Sequence, residues 1–223
     1  EDEAPVYVTP QRTYGLPVTT NIVFQPEEHS PTLLTMRAKK QLYQWREFVA
    51  APCKDHPMMV FALCTAFSGP LLKLVGQDCG GFHFYGTSSK GKTTLLQVSG
   101  TVWGSGADPA ASDYSYIGRW NTTGNALEAV AAAHNDGLLC LDEMGTCDQR
   151  DFGKVIYDLF GGQGKRRLNK KSMLQRSRTW RLAALSTGEI SVEDKILEGG
   201  GKHRTGHLVR MIDVPIGEGV FLG

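Results

Sequence analysis

The segment GFHFYGTSSKGKTTLL, residues 81–96, constrains the fold more than any other. An apolar stretch containing Phe82 and Phe84 runs directly into a polar loop with almost nothing to bury. Glycines at both ends of that loop let its amides turn inward without Cβ clashes, so the N–H groups form an anion-binding nest at the start of a helix. A lysine just inside the helix bridges the β- and γ-phosphates of a triphosphate, and the next hydroxyl ligates the magnesium that neutralises them. Gly86-x4-Gly91-Lys92-Thr93 meets this phosphate-loop spacing in full. A pattern this short also arises in Gly/Ser turns that cap ordinary helices. Context separates the two readings, because residues 82–85 read as a strand and 94–98 as a helix, the setting the motif requires. The expected ATP-binding loop is thus Gly86, Thr87, Ser88, Ser89, Lys90, Gly91, Lys92, Thr93 and Thr94, with Lys92 on the phosphates and Thr93 on Mg²⁺.

Around this loop the chain alternates between apolar runs and helical patterns. Helices are expected near 125–134 and 152–160, and strands near Tyr116, over 137–141, over 180–185 and over roughly 207–214. Continuous apolar strands separated by helices predict an α/β fold with a mainly parallel sheet covered on both faces. Residues 31–78 read as a helical segment, one helix starting at Pro31 behind a Ser30 cap and a second running from His56 to about Val75. Residues 1–30, rich in proline, read as an extended connector or the remnant of an upstream domain. The phosphate-loop core then occupies 79–223, and 223 residues are enough for one such domain with a leading segment.

The run LLCLDE, residues 138–143, supplies the acids. In a doubly wound sheet, ligands sit beyond the carboxyl ends of the strands, so acids placed after four apolar residues face the same crevice as the phosphate loop. Asp142 is the expected partner of Thr93 at the magnesium, and Glu143 the base that orients and deprotonates the attacking water. Such a glutamate favours hydrolysis by a strand-inserted ATPase of the AAA+ or RecA type over transfer by a small-molecule kinase. In LSTGE, residues 185–189, Thr187 or Ser186 stands where a strand-end hydroxyl senses the γ-phosphate or the water, although Ser-Thr-Gly is also good turn chemistry.

Net charge is only +1, so any nucleic-acid site must be local. From Lys165 to Arg181 there are eight Lys or Arg in seventeen residues and no acid. That concentration is an electrostatic footprint for phosphate, with Lys165, Arg166, Arg167, Lys170 and Lys171 as candidate backbone contacts and Asn169-Lys170-Lys171-Ser172 as a hairpin tip. The alternative is a solvated loop whose arginines pair with acids on a neighbouring subunit. Transition-state charge on the γ-phosphoryl group is often met by an arginine supplied in trans, for which Arg204 and Arg210 are the candidates. His203 and His207 lack a third ligand nearby and do not read as a metal site.

Five cysteines, Cys53, Cys64, Cys79, Cys140 and Cys147, are scattered without a C-x-x-C pair, which fits reduced thiols in a cytoplasmic protein. Glu1-Asp2-Glu3 is acidic where a signal peptide would be basic, and the most apolar stretch, 57–75, is interrupted by Ser68-Gly69-Pro70 and Lys73, so no membrane association is expected.

Taken in order, GGFHFYGTSSKGKTTLLQVSGTVWG, WNTTGNALEAVAAAHND, LLCLDEMG, YDLFGGQGKRRL, TWRLAALSTGEIS and GHLVRMIDVP resemble the domain of unknown function 927 family. The resemblance runs from about Trp45 to the C-terminus and implies a helicase-like ATPase of phage, plasmid or other mobile-element replication, akin to primase-helicases whose ATPase domains form rings. Gly86, Ser88, Gly91, Lys92 and Thr93 fall on the family's phosphate loop, Asp142 and Glu143 on its acidic motif, Thr187 to Glu189 on a sensor-like strand end, and Arg210 on its final Val-Arg. Two departures, Gly161-Gly162 before QGK and His207 before the last arginine, leave the phosphate machinery intact. The resulting expectation is the ATP- and Mg²⁺-dependent motor of a six-membered ring, acting on single-stranded DNA. The competing expectation is a phosphate-loop switch or assembly module that unwinds nothing.

Overall fold

The computed structural model describes residues 5–15, 22–25, 31–112, 114–166, 177–202 and 205–217. The leading segment carries a small antiparallel pair, β1 (Tyr7–Val8) and β2 (Thr13–Tyr14). It is tied to the core by the Tyr7 hydroxyl, which donates to the Asp136 carbonyl at 2.9 Å, and by the Tyr7 ring set edge-on to Trp103.

The helical segment is more broken than its apolar pattern predicts. Helix α1 (Pro31–Thr35) stops after five residues. The chain turns helical again at α2 (Leu42–Trp45), passes through a π-helical turn at Arg46–Ala50, and continues as α3 (Ala51–Cys53). The single helix predicted to start at Pro31 is thus corrected to two pieces, along which Leu34, Leu42 and Phe48 are exposed. Helix α4 (Pro57–Ser68) begins with proline at its first position, where no amide hydrogen bond is lost, and ends in a 3₁₀ turn at Gly69–Leu71. Its end is fixed by close approach: a Cβ on Gly69 would collide with the Gly137 backbone.

The core contains β3 (Gly80–Tyr85), α5 (Lys92–Gly100), β4 (Gly118–Arg119), α6 (Gly124–Ala133), β5 (Leu138–Asp142), α7 (Phe152–Phe160), β6 (Ala183–Gly188), α8 (Val192–Glu198), α9 (Thr205–Leu208) and β7 (Met211–Pro215). The sheet is parallel throughout, in the order β4-β5-β6-β3-β7. This is the α/β architecture expected from the sequence. Side chains alternate along each strand, so the sheet has two cores. Leu138, Cys140 and Leu185 join Phe84, Leu95 and Leu96 beneath α4 and α5, while Leu139, Leu141 and Ala184 join Trp120, Phe152 and Ile156 beneath α7.

Helix starts follow their caps. Thr123 accepts from Ala126 N–H at α6, Asp151 from Lys154 N–H at α7, and Ser191 from Asp194 N–H at α8, each satisfying an amide left free in the first turn. Two boundaries differ from the sequence reading. The last strand begins at Met211 and not at His207, because residues 205–208 form a helical turn that buries His207 against the Tyr157 ring. The strand after the basic stretch begins at Ala183, since Thr179 and Trp180 instead pair antiparallel with residues 162–163.

Candidate nucleotide site

Strand order sets the site. β6 lies between β3, which leads into the phosphate loop, and β5, which ends in the acids, so three strand ends open onto one cleft. The cleft has a volume of about 790 Å³ and is walled by Ser88 to Thr94, Asp142, Glu143 and Thr187 to Ile190, among others. All the expected loop residues from Ser88 onward line it, and Gly86 and Thr87 supply the carbonyls behind them.

Backbone conformation accounts for both glycines of the loop. Gly86 has φ +146° and passes so close to Ile216 that a Cβ would stand 2.5 Å from that residue's carbonyl oxygen. Gly91 is left-handed at φ +77° and caps α5, which turns the first amides of the helix toward the cleft. Lys92 is buried, and its ammonium donates to the carbonyls of Gly86 at 2.8 Å and Thr87 at 2.6 Å. Those two bonds hold the head at the mouth of the loop and leave a third donor for a ligand. Burial pushes the Lys92 ammonium below the usual lysine range, while the carboxylates of Glu189 and Asp142 oppose that shift.

Opposite the loop, the acids are held by β6. The Thr187 hydroxyl donates to Asp142 Oδ1 and accepts the Glu143 N–H at 3.3 Å. The same Asp142 oxygen accepts from Thr93 Oγ1 at 3.4 Å, joining helix α5 to the end of β5. Glu143 itself is left-handed, at φ +57° and ψ +64°, a conformation that costs a non-glycine residue about 1–2 kcal/mol. Its carbonyl accepts from the amide and hydroxyl of Thr146, and Lys195 Nζ donates to the Gly145 carbonyl at 3.0 Å, so the strained turn is braced from both sides. The strain leaves Asp142 buried and Glu143 exposed in the cleft wall.

The oxygen set fits a hard cation with a triphosphate: a hydroxyl and a carboxylate 3.4 Å apart, beside the amides at the start of α5. Thr93 and Asp142 are the residues that would hold Mg²⁺. Glu189, which the sequence reading placed with Thr187 on the sensor-like strand end without a role of its own, is a wall of the cleft. Sequence reading missed Ile190 and Glu198, which reach the cleft through α8 and the turn before it.

The remaining candidates lie elsewhere. Arg210 precedes β7, at the end of the sheet opposite the phosphate loop, where its guanidinium lies 4.7 Å from the centre of the Tyr157 ring and donates to the Gly206 carbonyl. Within its own chain it is therefore remote from the cleft. Gly164 N–H donates to Arg178 O and Trp180 N–H to Gly162 O, so the described residues 162–164 and 178–180 pair antiparallel. Arg166 is exposed, whereas Lys165 lies 3.4 Å from Asp158 and 3.8 Å from Glu128. Arg167, Lys170, Lys171 and Arg204 lie outside the described residues. Among the described residues, no group of His, Cys, Asp or Glu forms a metal cluster, and no helix is long and apolar enough to cross a membrane.

The model of the domain of unknown function 927 family matches residues 1–180. The chain belongs to that family. Among solved structures, this domain of unknown function 927 protein is similar to the SCCmec type IV Cch active helicase, at 24% identity and a TM-score of 0.64, over 81% of this chain and 32% of the helicase. The chain thus spans about a third of that protein's length, and the likeness is one of fold alone. NtrX from Brucella abortus in complex with ADP is similar at 13% identity and a TM-score of 0.40, over 82% of this chain and 38% of NtrX, which is too slight to bear on function. No curated protein sequence matches the chain.

Proposed function

We propose that this domain is the ATP-hydrolysing core of a ring-forming DNA helicase or translocase of a mobile genetic element, acting in the cytoplasm on single-stranded DNA. The observation that carries the reading is the meeting of Thr93, Asp142, Glu143 and Thr187 across one cleft with the phosphate loop. ATP binds with its phosphates against the amides of residues 86–93, and Lys92 meets the β- and γ-oxygens. Bound Mg²⁺ supplies charge neutralisation at those oxygens. Asp142 and Thr93 present the oxygens that hold it, and Thr187 fixes which way the Asp142 carboxylate faces. Glu143, exposed in the wall and locked by its turn, takes the proton of the attacking water.

Coupling to DNA follows from chain connectivity. The described end of the basic segment runs through Trp180 into β6, which carries Thr187 one residue before its end. A movement at the strand end that contacts the acids therefore has a direct covalent path to the basic segment, whose lysines and arginines suit the phosphates of a single strand. Ring assembly, with six subunits as the expected number, places an arginine such as Arg204 or Arg210 against a neighbour's cleft.

The test is ATP hydrolysis by the purified chain with and without single-stranded DNA, run beside a sizing measurement. Stimulation by DNA that Lys170→Ala/Lys171→Ala removes supports the motor. Equal rates with and without DNA in an assembled ring would favour the switch or assembly module instead. Lys92→Ala is expected to lose nucleotide affinity, whereas Glu143→Gln binds ATP without cleaving it; normal turnover in Glu143→Gln would show that the base is another residue.

A further inference from the structure

Three fully buried polar side chains on one face of the sheet form a hydrogen-bonded line; it engages Ser186, the alternative sensor in the sequence reading, which does not line the cleft as Thr187 does. His83 lies three residues before Gly86, Ser186 stands beside it in register on β6, and Trp120 follows β4. His83 Nε2 lies 3.0 Å from the Ile190 carbonyl, which can only accept, so that nitrogen carries the proton. His83 Nδ1 is then an acceptor, and it takes the Ser186 hydroxyl proton at 2.9 Å. Ser186 Oγ in turn accepts from Trp120 Nε1 at 2.8 Å. Every donor in the line has one acceptor, and burial keeps the imidazole neutral at ordinary pH by pushing His83 down to about 4.

The line ends on the turn that closes the cleft. A Cβ on Gly188 would stand 3.0 Å from His83 Cε1, so the ring occupies the space a larger residue would need and the turn is seated directly on it. Between Gly188 and Ile190 lies Glu189, exposed in the same cleft wall as Lys92. We propose that His83 is a positioning residue: held by Ser186 and Trp120, it fixes the 188–190 turn so that the Glu189 carboxylate faces the Lys92 ammonium across the nucleotide cleft. This deepens the ATPase reading and rests on it for its catalytic consequence.

The two ring nitrogens can be separated by substitution. In His83→Gln the amide nitrogen reaches the place of Nε2 and keeps the bond to Ile190, whereas in His83→Asn the side chain reaches only the place of Nδ1. His83→Asn is expected to lower kcat for ATP on the order of tenfold or more, as small misplacements in a reacting site do, with KM changed far less. Glu189→Gln should give a similar loss, and His83→Asn/Glu189→Gln no more than either alone; His83→Gln should recover most of the wild-type rate. A purely structural role would lower the melting temperature of both His83 variants and add to the Glu189 effect. Amide hydrogen exchange over residues 188–191 reads the positioning apart from turnover: it should quicken in His83→Asn and not in His83→Gln. Unchanged exchange in His83→Asn overturns the proposal. A wild-type chain that neither binds nor hydrolyses ATP overturns the ATPase reading, and the exchange result then still decides whether His83 sets the turn.

Discussion

The Thr187 hydroxyl gives its one proton to Asp142 Oδ1 while accepting the Glu143 amide, so a single side chain on β6 holds two consecutive acids at the end of β5. The residue expected to sense a ligand is thereby also the residue that orients the proposed metal-binding carboxylate. Thr187→Val keeps the shape and removes both bonds. Because the methyl cannot accept the Glu143 N–H, the left-handed turn loses a brace as well. ATP hydrolysis should fall on the order of tenfold to a hundredfold, as for lost carboxylate-orienting contacts around a metal, while ATP binding weakens less. Steady-state kinetics beside a nucleotide titration check this, and wild-type turnover in Thr187→Val would show that Asp142 is held some other way.

Gly86→Ala is expected to damage the cradle itself. At φ +146° an alanine is strained, and its Cβ would meet the Ile216 carbonyl at 2.5 Å. Strain of this kind costs about 1–3 kcal/mol, and moving the loop away from Ile216 withdraws the Gly86 carbonyl that Lys92 uses. Both the denaturation midpoint and nucleotide affinity should drop. Gly145→Ala is the contrast, because nothing lies within 4 Å of a Cβ there and no clash is expected.

How much of this was legible in the sequence depends on how far each feature reaches along the chain. The phosphate loop was legible because its glycines, lysine and hydroxyl act within eight residues, and the acids because a buried strand announces its own end. Helix α8 was missed although Ser191 and Asp194 carry its start signal, because its seven residues span barely two turns before Gly199-Gly200-Gly201, too few to show a helical period. Residues 207–208, the end of the turn at Thr205–Leu208, were read as the start of the last strand because they run on into the apolar Val209, Met211 and Ile212, and only the packing of His207 on Tyr157 decides otherwise. The Trp120, Ser186 and His83 line could not be read at all. Its members are 66 and 103 residues apart, and they meet only through the register of β3 on β6.

Within the basic segment, Lys165 and Arg166 should behave differently despite being adjacent. Lys165 is already engaged by Asp158 and by Glu128, whose carboxylate is nearly buried, whereas Arg166 is exposed. Arg166→Ala should weaken single-stranded DNA binding more and flatten its salt dependence. Lys165→Ala should instead cost stability, about 1 kcal/mol after allowance for its half-exposed head, or roughly 2–4 °C in melting temperature. Fluorescence anisotropy with a labelled oligonucleotide and a thermal melt of each variant separate the two; equal losses of DNA affinity would mean that the acids do not hold Lys165.

Acid should destabilise the fold well above the range in which carboxylates titrate. Burial pushes both His83 and His134 down to about 4 from the ordinary 6.5, with the Lys92 charge adding to the shift at His83. His134 donates from Nδ1 to the Val130 carbonyl at 2.7 Å, and its Nε2 has no hydrogen-bond partner among the described residues, so a proton there would be buried without compensation. Between pH 6.5 and 4 the unfolded chain binds protons that the folded chain refuses, so stability is full above 6.5 and falls as pH drops through that window. From pH 7 to 5 the loss is on the order of 2 kcal/mol for each imidazole. Asp213, whose carboxyl is pushed up by burial, acts in the opposite sense and offsets a part of it. Urea denaturation at pH 7, 6 and 5 should therefore show a falling midpoint, and His134→Gln, which cannot take the proton, should remove about half of the slope. A midpoint flat across that range in the wild-type chain would mean that neither imidazole is buried in its neutral form.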